Sequence, residues 1–255
     1  MYWASLAAEL RGMILGALVH QENVAHCAIV CREWRAALEK QTFHSLNLRV
    51  QDIPAFRILG KRKIGYIRYI WYSIELQEYD CTACNLHETE AAMKTNRALV
   101  EDGLQNILYA LSGRPSSIDL TLDISVHSPS DSRHQFKYIR FEPANKPASY
   151  NIPMLTSCHN PSHTSAGSLP SIEAIERIFP DIELENEFWT SIPRIPCVTH
   201  LLLRRQTRRR WEPITLSQLL ACFPNLQELC FEPWREWGRL NQRISDLRTY
   251  PHTAG

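Results

Sequence analysis

The chain has 255 residues, of which 44% are hydrophobic and 22% charged, close to the averages of globular proteins. These proportions exclude a mainly disordered chain, which needs low hydrophobicity and high net charge, and they exclude a fibrous repeat. The formal net charge is +1, so no overall field directs the protein to DNA or to a membrane, and any nucleic-acid interface has to be local.

Residues 1–45 are predicted to be helical, because two stripes of apolar side chains recur at helical spacing. The first stripe consists of Leu6, Leu10, Met13, Ile14 and Leu18, with Ser5 as its predicted cap. The second stripe consists of Cys27, Cys31, Trp34 and Leu38. Both apolar faces are broad for so few residues, so they require burial against the rest of the chain or against another protein.

The N-terminal stretch does not have the form of a secretory signal, because Glu9 and Arg11 interrupt its apolar run. No segment reaches the roughly 18 apolar residues that would span a bilayer. The eight cysteines are irregularly spaced, which fits reduced thiols better than a disulfide framework. We therefore expect a cytoplasmic or nuclear protein.

From residue 46 onwards, short β-branched segments alternate with helical ones, which predicts an α/β fold with a largely parallel sheet. The predicted strands are 46–50, 67–76, 118–126, 136–141, 198–203 and 226–231. The predicted helices are 90–111, 171–178 and 215–222, and the last two open with a hydroxyl residue as a cap.

A degraded repeat is visible in this second part of the chain. Residues 224–231 follow the spacing of a leucine-rich repeat, and residues 198–203 form a similar unit about 27 residues earlier. We interpret residues 46–240 as an irregular leucine-rich-repeat-like domain, with an ordinary α/β domain as the alternative. The Pro- and Ser-rich segment 142–170 is predicted to be a long loop. The tail 241–255 is weakly patterned and provides no clear cap, so we expect either a truncated repeat region or a tail that packs back.

Motifs of catalysis are absent from the sequence. It contains no glycine-rich phosphate loop, no His-Glu-x-x-His pair and no nucleophile elbow. We therefore assign no catalytic residues and expect a protein that is not an enzyme.

Cys81 and Cys84 form a Cys-x-x-Cys pair, with His87 three residues further on. Such a turn places two thiolates on one zinc ion, and a second half-site would come from Cys158 with His159 or His163 in the long loop. One such pair is a weak signal, and two incidental thiols at the end of a strand are the alternative. The sequence therefore leads us to assign no metal and no other cofactor.

A basic run follows the strand predicted at 198–203, and it consists of Arg204, Arg205, Arg208, Arg209 and Arg210, with Trp211 next to it. Guanidinium groups beside an aromatic ring bind phosphate and stack on bases, so RNA is one candidate ligand. A solvated loop and a docking site for an acidic protein segment are the alternatives. Trp234 and Trp237 add the residue type that dominates binding hot spots, although they fit equally well as packing on the sheet edge. We assign these eight residues to substrate binding.

Residues 3–46 resemble an F-box. The stretch from Trp3 to Leu15 matches the opening of that motif, Leu-Pro-x-Glu-Ile, and Val30-Cys31-Arg32-Glu33-Trp34-Arg35 matches its closing Val-Cys-x-x-Trp-Arg element. Ala7 stands where the family usually has proline, and alanine tolerates the same first helical turn. Most of the chain to about residue 238 resembles fungal F-box-like proteins, which are usually longer, in five segments: 69–71, 76–84, 123–132, 208–211 and 232–237.

This resemblance implies a non-catalytic adaptor. Its N-terminal helices would dock on the Skp-type linker of a cullin–RING (SCF-type) ubiquitin ligase, and its C-terminal domain would recruit a protein substrate. The residues it implies for linker binding are Leu6, Ala7, Leu10, Met13, Ile14, Leu15, Val30, Cys31 and Trp34. Three alternatives stay open: an interaction scaffold that never meets a ligase, helices that only cap the α/β domain, and an RNA-binding module that uses the arginine run.

Overall fold

The computed structural model describes residues 3–18, 24–117, 119–134, 136, 171–204, 207 and 209–232. In these residues the helices α1 to α8 span Ala8–Leu18, Arg32–Thr42, Ile53–Arg57, Lys61–Ile64, Glu90–Ser112, Ile172–Ile178, Asn186–Thr190 and Pro213–Ala221. Short 3-10 helices lie at Trp3–Ser5, Val24–Ile29, Val50–Asp52 and Pro129–Ser132. The strands β1 to β7 span Ser45–Arg49, Tyr69–Glu75, Leu120–His127, Asp181–Ile182, Val198–Leu203, Arg210–Trp211 and Glu228–Phe231.

Five strands form one sheet in the order β1-β2-β3-β5-β7, and every neighbouring pair is parallel. Each strand therefore adds to the sheet beside the previous one, and the chain crosses back through helical segments before the next strand. The predicted α/β class with a largely parallel sheet is confirmed. The short strands β4 and β6 form a second parallel pair that the sequence pattern did not predict. None of the described helices combines the length and the apolarity that crossing a membrane requires.

Five of the six predicted strands agree with strands of the sheet within about two residues. Strand β5 has the predicted bounds, and it pairs with β7 so that Leu201 lies beside Leu229 and Leu203 beside Phe231. The two units with repeat-like spacing are thus neighbours in the sheet. Of the strand predicted at 136–141, only Phe136 is described, and it lies in a turn.

Helix α5 confirms the long predicted helix, and Thr89 caps it by accepting a hydrogen bond from the backbone N–H of Ala92 at 3.2 Å. Ser171 caps α6 in the predicted way. The cap predicted for the last helix is wrong: α8 begins at Pro213, and the Glu212 carboxylate accepts from the backbone N–H of Thr215 at 2.7 Å. A carboxylate is the stronger acceptor at a helix N-terminus because it also meets the helix dipole.

The N-terminal helices also differ in detail from the prediction. Ser5 lies in the 3-10 turn Trp3–Ser5, while α1 begins only at Ala8, so Ser5 is not at the position that caps α1. The second apolar stripe is divided at Cys31, which separates the 3-10 helix Val24–Ile29 from α2.

One face of the sheet packs against α5 and forms the main core. Ile70, Tyr72 and Ile74 of β2 are fully buried on this face. The Tyr72 hydroxyl donates a hydrogen bond to the backbone carbonyl of Gly103 in α5 at 2.8 Å. A side chain at Gly103 would meet Ile74, because an added Cβ would lie 2.9 Å from Ile74 Cγ1 and 3.0 Å from Cγ2. Glycine at this position is what allows α5 to lie so close to β2.

Gly103→Ala should therefore destabilise the protein. Overpacking against a β-branched side chain costs about 1–3 kcal/mol, which exceeds the gain of at most about 1 kcal/mol from replacing glycine in a helix. Urea unfolding of the variant measures the difference. Gly12→Ala is the matched control, because nothing lies within 4 Å of a Cβ added there in α1, and this variant should be neutral or more stable. Equal stabilisation by both substitutions would contradict the close approach of α5 to β2.

Candidate functional site

Apolar side chains on one face of α1 are exposed. Leu10, Met13 and Ile14 lie at positions i, i+3 and i+4, and their exposed fractions are 49%, 71% and 39%. Val30, which follows the 3-10 helix Val24–Ile29, is 61% exposed. Clusters of exposed apolar side chains on a helix are typical of protein-interaction surfaces. We call residues 3–18 and 24–42 the N-terminal helical unit.

This unit is held together by polar and aromatic contacts between its own helices. The Glu33 carboxylate in α2 accepts hydrogen bonds from Trp3 Nε1 and from the Arg11 guanidinium, both at 2.9 Å. Trp3 also packs edge-on against Trp34 with 5.0 Å between ring centroids. Neither α1 nor α2 contributes a side chain to the main core of the sheet domain.

The residues predicted to bind the linker are therefore not equally exposed. Ala7 is exposed and Leu6 and Cys31 are half-buried, so all three lie at least partly on the surface. Leu15 is buried, which corrects its assignment to the interaction surface, because a partner has no access to it. Trp34 is half-buried against Trp3 and supports the fold of the unit.

The three members of the arginine run that the structure describes, Arg204, Arg209 and Arg210, pair with carboxylates of the chain itself, and Arg209 lies in the interior rather than in a solvated or substrate-binding patch. Arg209 is buried, lies 3.6 Å from the buried Asp131 carboxylate and donates to the carbonyl of Ile178 at 2.5 Å. Arg204 pairs with the fully buried Asp123 at 2.8 Å, and Arg210 pairs with Asp181 at 2.9 Å. Buried carboxylates need such partners, because an uncompensated buried charge costs several kcal/mol.

Trp211 also belongs to the interior, where it is a member of the main core, so its assignment to substrate binding is corrected as well. The other four residues assigned to substrate binding lie outside the described residues: Arg205, Arg208, Trp234 and Trp237.

The second face of the sheet is polar, and sequence patterns did not single it out. We call this surface the polar sheet face; its described side chains on the central strands are Tyr69, Trp71, Ser73, Glu75, Thr121, Asp123, Ser125 and His127. The Tyr69 hydroxyl donates to Asp123 at 2.5 Å, and Trp71 Nε1 donates to the Ser125 hydroxyl at 2.8 Å. Tyr69 and Trp71 are half-buried, whereas Ser73, Asp123, Ser125 and His127 of the same face are buried. The face thus presents two aromatic rings fixed by diagonal hydrogen bonds between strands.

A cleft of about 840 Å³ lies on the helical side of the sheet, with Leu76 and Val126 in its wall beside α5 and α6. Its charged lining is mixed and consists of Glu88, Glu90, Lys94, Arg97, Glu176, Asp181, Glu183, Arg209 and Arg210. Because both signs of charge are present, the cleft does not select for an anionic ligand such as a nucleic acid.

The segments that follow β2 and β3 are joined by a hydrogen-bonded network. The Tyr79 backbone N–H donates to the Ser130 hydroxyl at 3.1 Å, and the Tyr79 hydroxyl donates to Asp131 at 3.0 Å. The Ser128 hydroxyl donates to the carbonyl of Gln77 at 2.8 Å. Burial and the adjacent Asp131 charge raise the pKa of Tyr79, so this hydroxyl stays protonated as a donor. Arg177 of α6 also contacts this network, with its guanidinium carbon 5.0 Å from the centre of the Tyr79 ring.

This network brings His134 next to Cys81 and Cys84. One potential ligand atom from each of these three residues lies within 4.8 Å of the other two. His87, which the sequence placed beside the cysteine pair, instead has its Nδ1 3.0 Å from a carboxylate oxygen of Glu176. Cys158, His159 and His163 lie outside the described residues. Among the seven cysteines that are described, none forms a disulfide.

His134 was missed because it lies far from the cysteines along the chain. The position of His134 follows from the topology, because the chain leaves two neighbouring parallel strands at the same edge of the sheet. The pairing of β2 with β3 therefore places residues 128–134 beside residues 77–84.

Comparison of this chain with family models, with curated proteins and with solved structures finds no match.

A buried histidine at the end of β3 makes the stability of the fold depend on pH. Burial, reinforced by the charges of Arg209 and Arg49, lowers the pKa of His127 from 6.5 to about 3. As the pH falls below 6.5 the unfolded chain takes up a proton at His127, whereas the folded chain does so only near pH 3. The contribution of His127 to stability is therefore complete at neutral pH and is lost as the pH falls from 6.5 towards 3.

His127→Gln should remove this dependence. Between pH 7.5 and pH 5 the wild-type chain should lose about 2 kcal/mol of unfolding free energy through His127, and the variant should lack that loss. Denaturant unfolding at a series of pH values measures both slopes. His44→Gln is the control, because this side chain is exposed, and it should keep the wild-type slope. The same slope in wild type and His127→Gln would contradict the argument.

Proposed function

We propose that this protein is a non-catalytic adaptor that brings a protein substrate to a cullin–RING ubiquitin ligase of the SCF type. The N-terminal helical unit docks on the Skp-type linker of the ligase, and the sheet domain binds the substrate. No residue of this chain performs chemistry in this scheme, because the assembled ligase transfers ubiquitin.

The exposed face of α1 is the observation that carries this proposal. Leu10, Met13 and Ile14 are exposed in a helical unit that gives no side chain to the main core. The interpretation that these helices only cap the α/β domain has less support, because a capping helix would bury its apolar face against the sheet domain. The resemblance of residues 3–46 to an F-box implies a Skp-type linker as the partner.

The polar sheet face is the surface that we assign to the substrate. It combines two half-buried aromatic rings, Tyr69 and Trp71, with the charged side chains of Arg49 and Glu75, which pair at 3.2 Å. Aromatic side chains of this kind provide most of the energy of protein interfaces at a low entropic cost. The rings belong to a paired strand, so they are held in place before a partner binds.

Two other functions have less support. A scaffold that never meets a ligase would use the same exposed face of α1, and the binding experiment below separates it from an adaptor. An RNA-binding module would require the arginine run at the surface, whereas Arg209 is buried and both Arg204 and Arg210 are in ion pairs.

Co-expression of the full chain with a fungal Skp-type linker, followed by co-purification and titration, tests the adaptor role. Leu10→Asp with Met13→Asp should weaken binding at least about 100-fold, because each buried apolar side chain contributes about 1.5–3 kcal/mol. Both positions are exposed, so the double variant should fold like the wild type.

Ile58→Asp is the matched control, because Ile58 is also apolar, is 85% exposed and lies in the sheet domain after α3. This variant should bind the linker like the wild type. Folded wild-type protein that does not bind at micromolar concentrations would remove the ligase role and favour the scaffold. Equal binding by the double variant and the wild type would place the linker contact elsewhere on the chain.

A further inference from the structure

We propose that Cys81, Cys84 and His134 bind a zinc ion that ties together the segments following β2 and β3. This site is independent of the adaptor function, because it lies in the sheet domain and not in the N-terminal helical unit. The sequence provides only one half of it, and the tertiary structure adds His134. The proposal depends on the geometry of the three side chains, on the turn that presents the thiols, and on the contacts that orient the imidazole.

The distances fit a tetrahedral metal site. One potential ligand atom from each of the three residues lies within 4.8 Å of the others. Around zinc, with bonds of about 2.3 Å to sulfur and about 2.0 Å to nitrogen, neighbouring ligand atoms are about 3.4–3.8 Å apart. Side-chain rotation of at most about 1 Å brings them to that separation. Cys84 and His134 are buried and Cys81 is half-buried, so the site is accessible from one side.

The turn that carries the two cysteines is held by Asp80. Its carboxylate accepts hydrogen bonds from the backbone N–H groups of Thr82 and Ala83, at 3.0 and 3.1 Å, and from the Thr82 hydroxyl at 2.6 Å. An aspartate that caps a turn in this way fixes its backbone, so both thiols are presented from one ordered loop. The Cys84 thiol points back into this loop, where it donates to the carbonyl of Cys81 at 3.1 Å.

His134 is oriented in the way that metal-bound histidines usually are. Its Nε2 lies 3.3 Å from the backbone carbonyl of Tyr79, and its ring packs on the Tyr79 ring with 5.4 Å between centroids. A carbonyl only accepts, so Nε2 carries the proton and Nδ1 carries the lone pair that a metal needs. Donation of the second ring N–H to a carbonyl is the usual outer-shell contact of zinc-bound histidine, because it fixes the tautomer and the ring orientation.

The donor set selects the metal. Two thiolates and one imidazole are donors that zinc prefers, and they leave the fourth tetrahedral position to a water molecule, while calcium and magnesium prefer oxygen ligands. Zinc binding converts each thiol to a thiolate and releases its proton to solvent, so the affinity should fall as the pH is lowered. Metal–ligand bonds would then join the same two segments that the hydrogen bonds from Tyr79 to Ser130 and Asp131 already connect.

The zinc content of the purified full chain, expressed with added zinc, tests the proposal. Elemental analysis should find about one zinc ion per chain, and cobalt added to the metal-free protein should give a thiolate-to-cobalt absorption band. Cys81→Ser, Cys84→Ser and His134→Gln should each lower the zinc affinity at least about tenfold. Circular dichroism of each variant compares its fold with that of the wild type.

Two controls and one rescue separate metal binding from a structural effect of the substitutions. His87→Gln and Cys230→Ser should keep the zinc, because His87 pairs with Glu176 and Cys230 lies in β7. His134→Cys should also keep it, because a third thiolate is an equally good zinc ligand. A purely structural role of His134 would not be rescued by cysteine, so this variant decides even if His134→Gln fails to fold.

Three results would overturn the assignment. Folded full-length protein that takes up neither zinc nor cobalt would exclude the site. Full zinc content in a folded His134→Gln variant would exclude His134 as a ligand. Zinc that depends on Cys158, His159 and His163 together, and not on His134, would show that the loop completes the cysteine pair.

Discussion

The pairing of β2 with β3 is the constraint on which most of the structure depends. These strands lie side by side over seven pairs of residues, from Tyr69 beside Thr121 to Glu75 beside His127. Because the pairing is parallel, the two segments that follow the strands leave the sheet at the same edge. Tyr79 then reaches Ser130 and Asp131, and the same contacts bring His134 to the cysteine pair. A shift of one residue in this register would turn every side chain of β2 to the opposite face and break both arrangements.

The same pairing gives the two faces of the sheet different roles. Ile70, Tyr72 and Ile74 are buried under α5, and the hydrophobic effect on this face provides the main driving force for folding. On the polar sheet face, the buried Asp123 carboxylate is held by Arg204 and by the Tyr69 hydroxyl. Such a charge is costly to bury and is tolerated because its partners compensate it. Among the described arginines of the run, Arg204 and Arg209 are thus explained by the requirements of the buried carboxylates of Asp123 and Asp131 in the sheet domain.

The contacts that stabilise the N-terminal helical unit differ from those of the sheet domain. Its helices are joined through Glu33, Trp3 and Arg11, they bury Leu15 and Leu38, and they leave Met13 and Leu10 exposed. The proposed adaptor role requires two such parts, because one part has to fold with its apolar face still open to a partner while the other part has a complete core. The proposed zinc ion would act only in the second part, where it would reinforce the edge of the sheet at which the chain leaves β2 and β3.

The sequence by itself determined the α/β class, the strand β5 and the long helix α5, because these elements depend on local periodicity and on a cap such as Thr89. It also identified the Cys-x-x-Cys pair, since both cysteines lie in one turn. Only the tertiary structure placed His134 beside that pair, buried Arg209 against Asp131 and brought polar side chains of neighbouring strands together on one face of the sheet. These three features join residues that are distant along the chain. Contacts of this kind are set by strand order and packing, and no local pattern of residues encodes them.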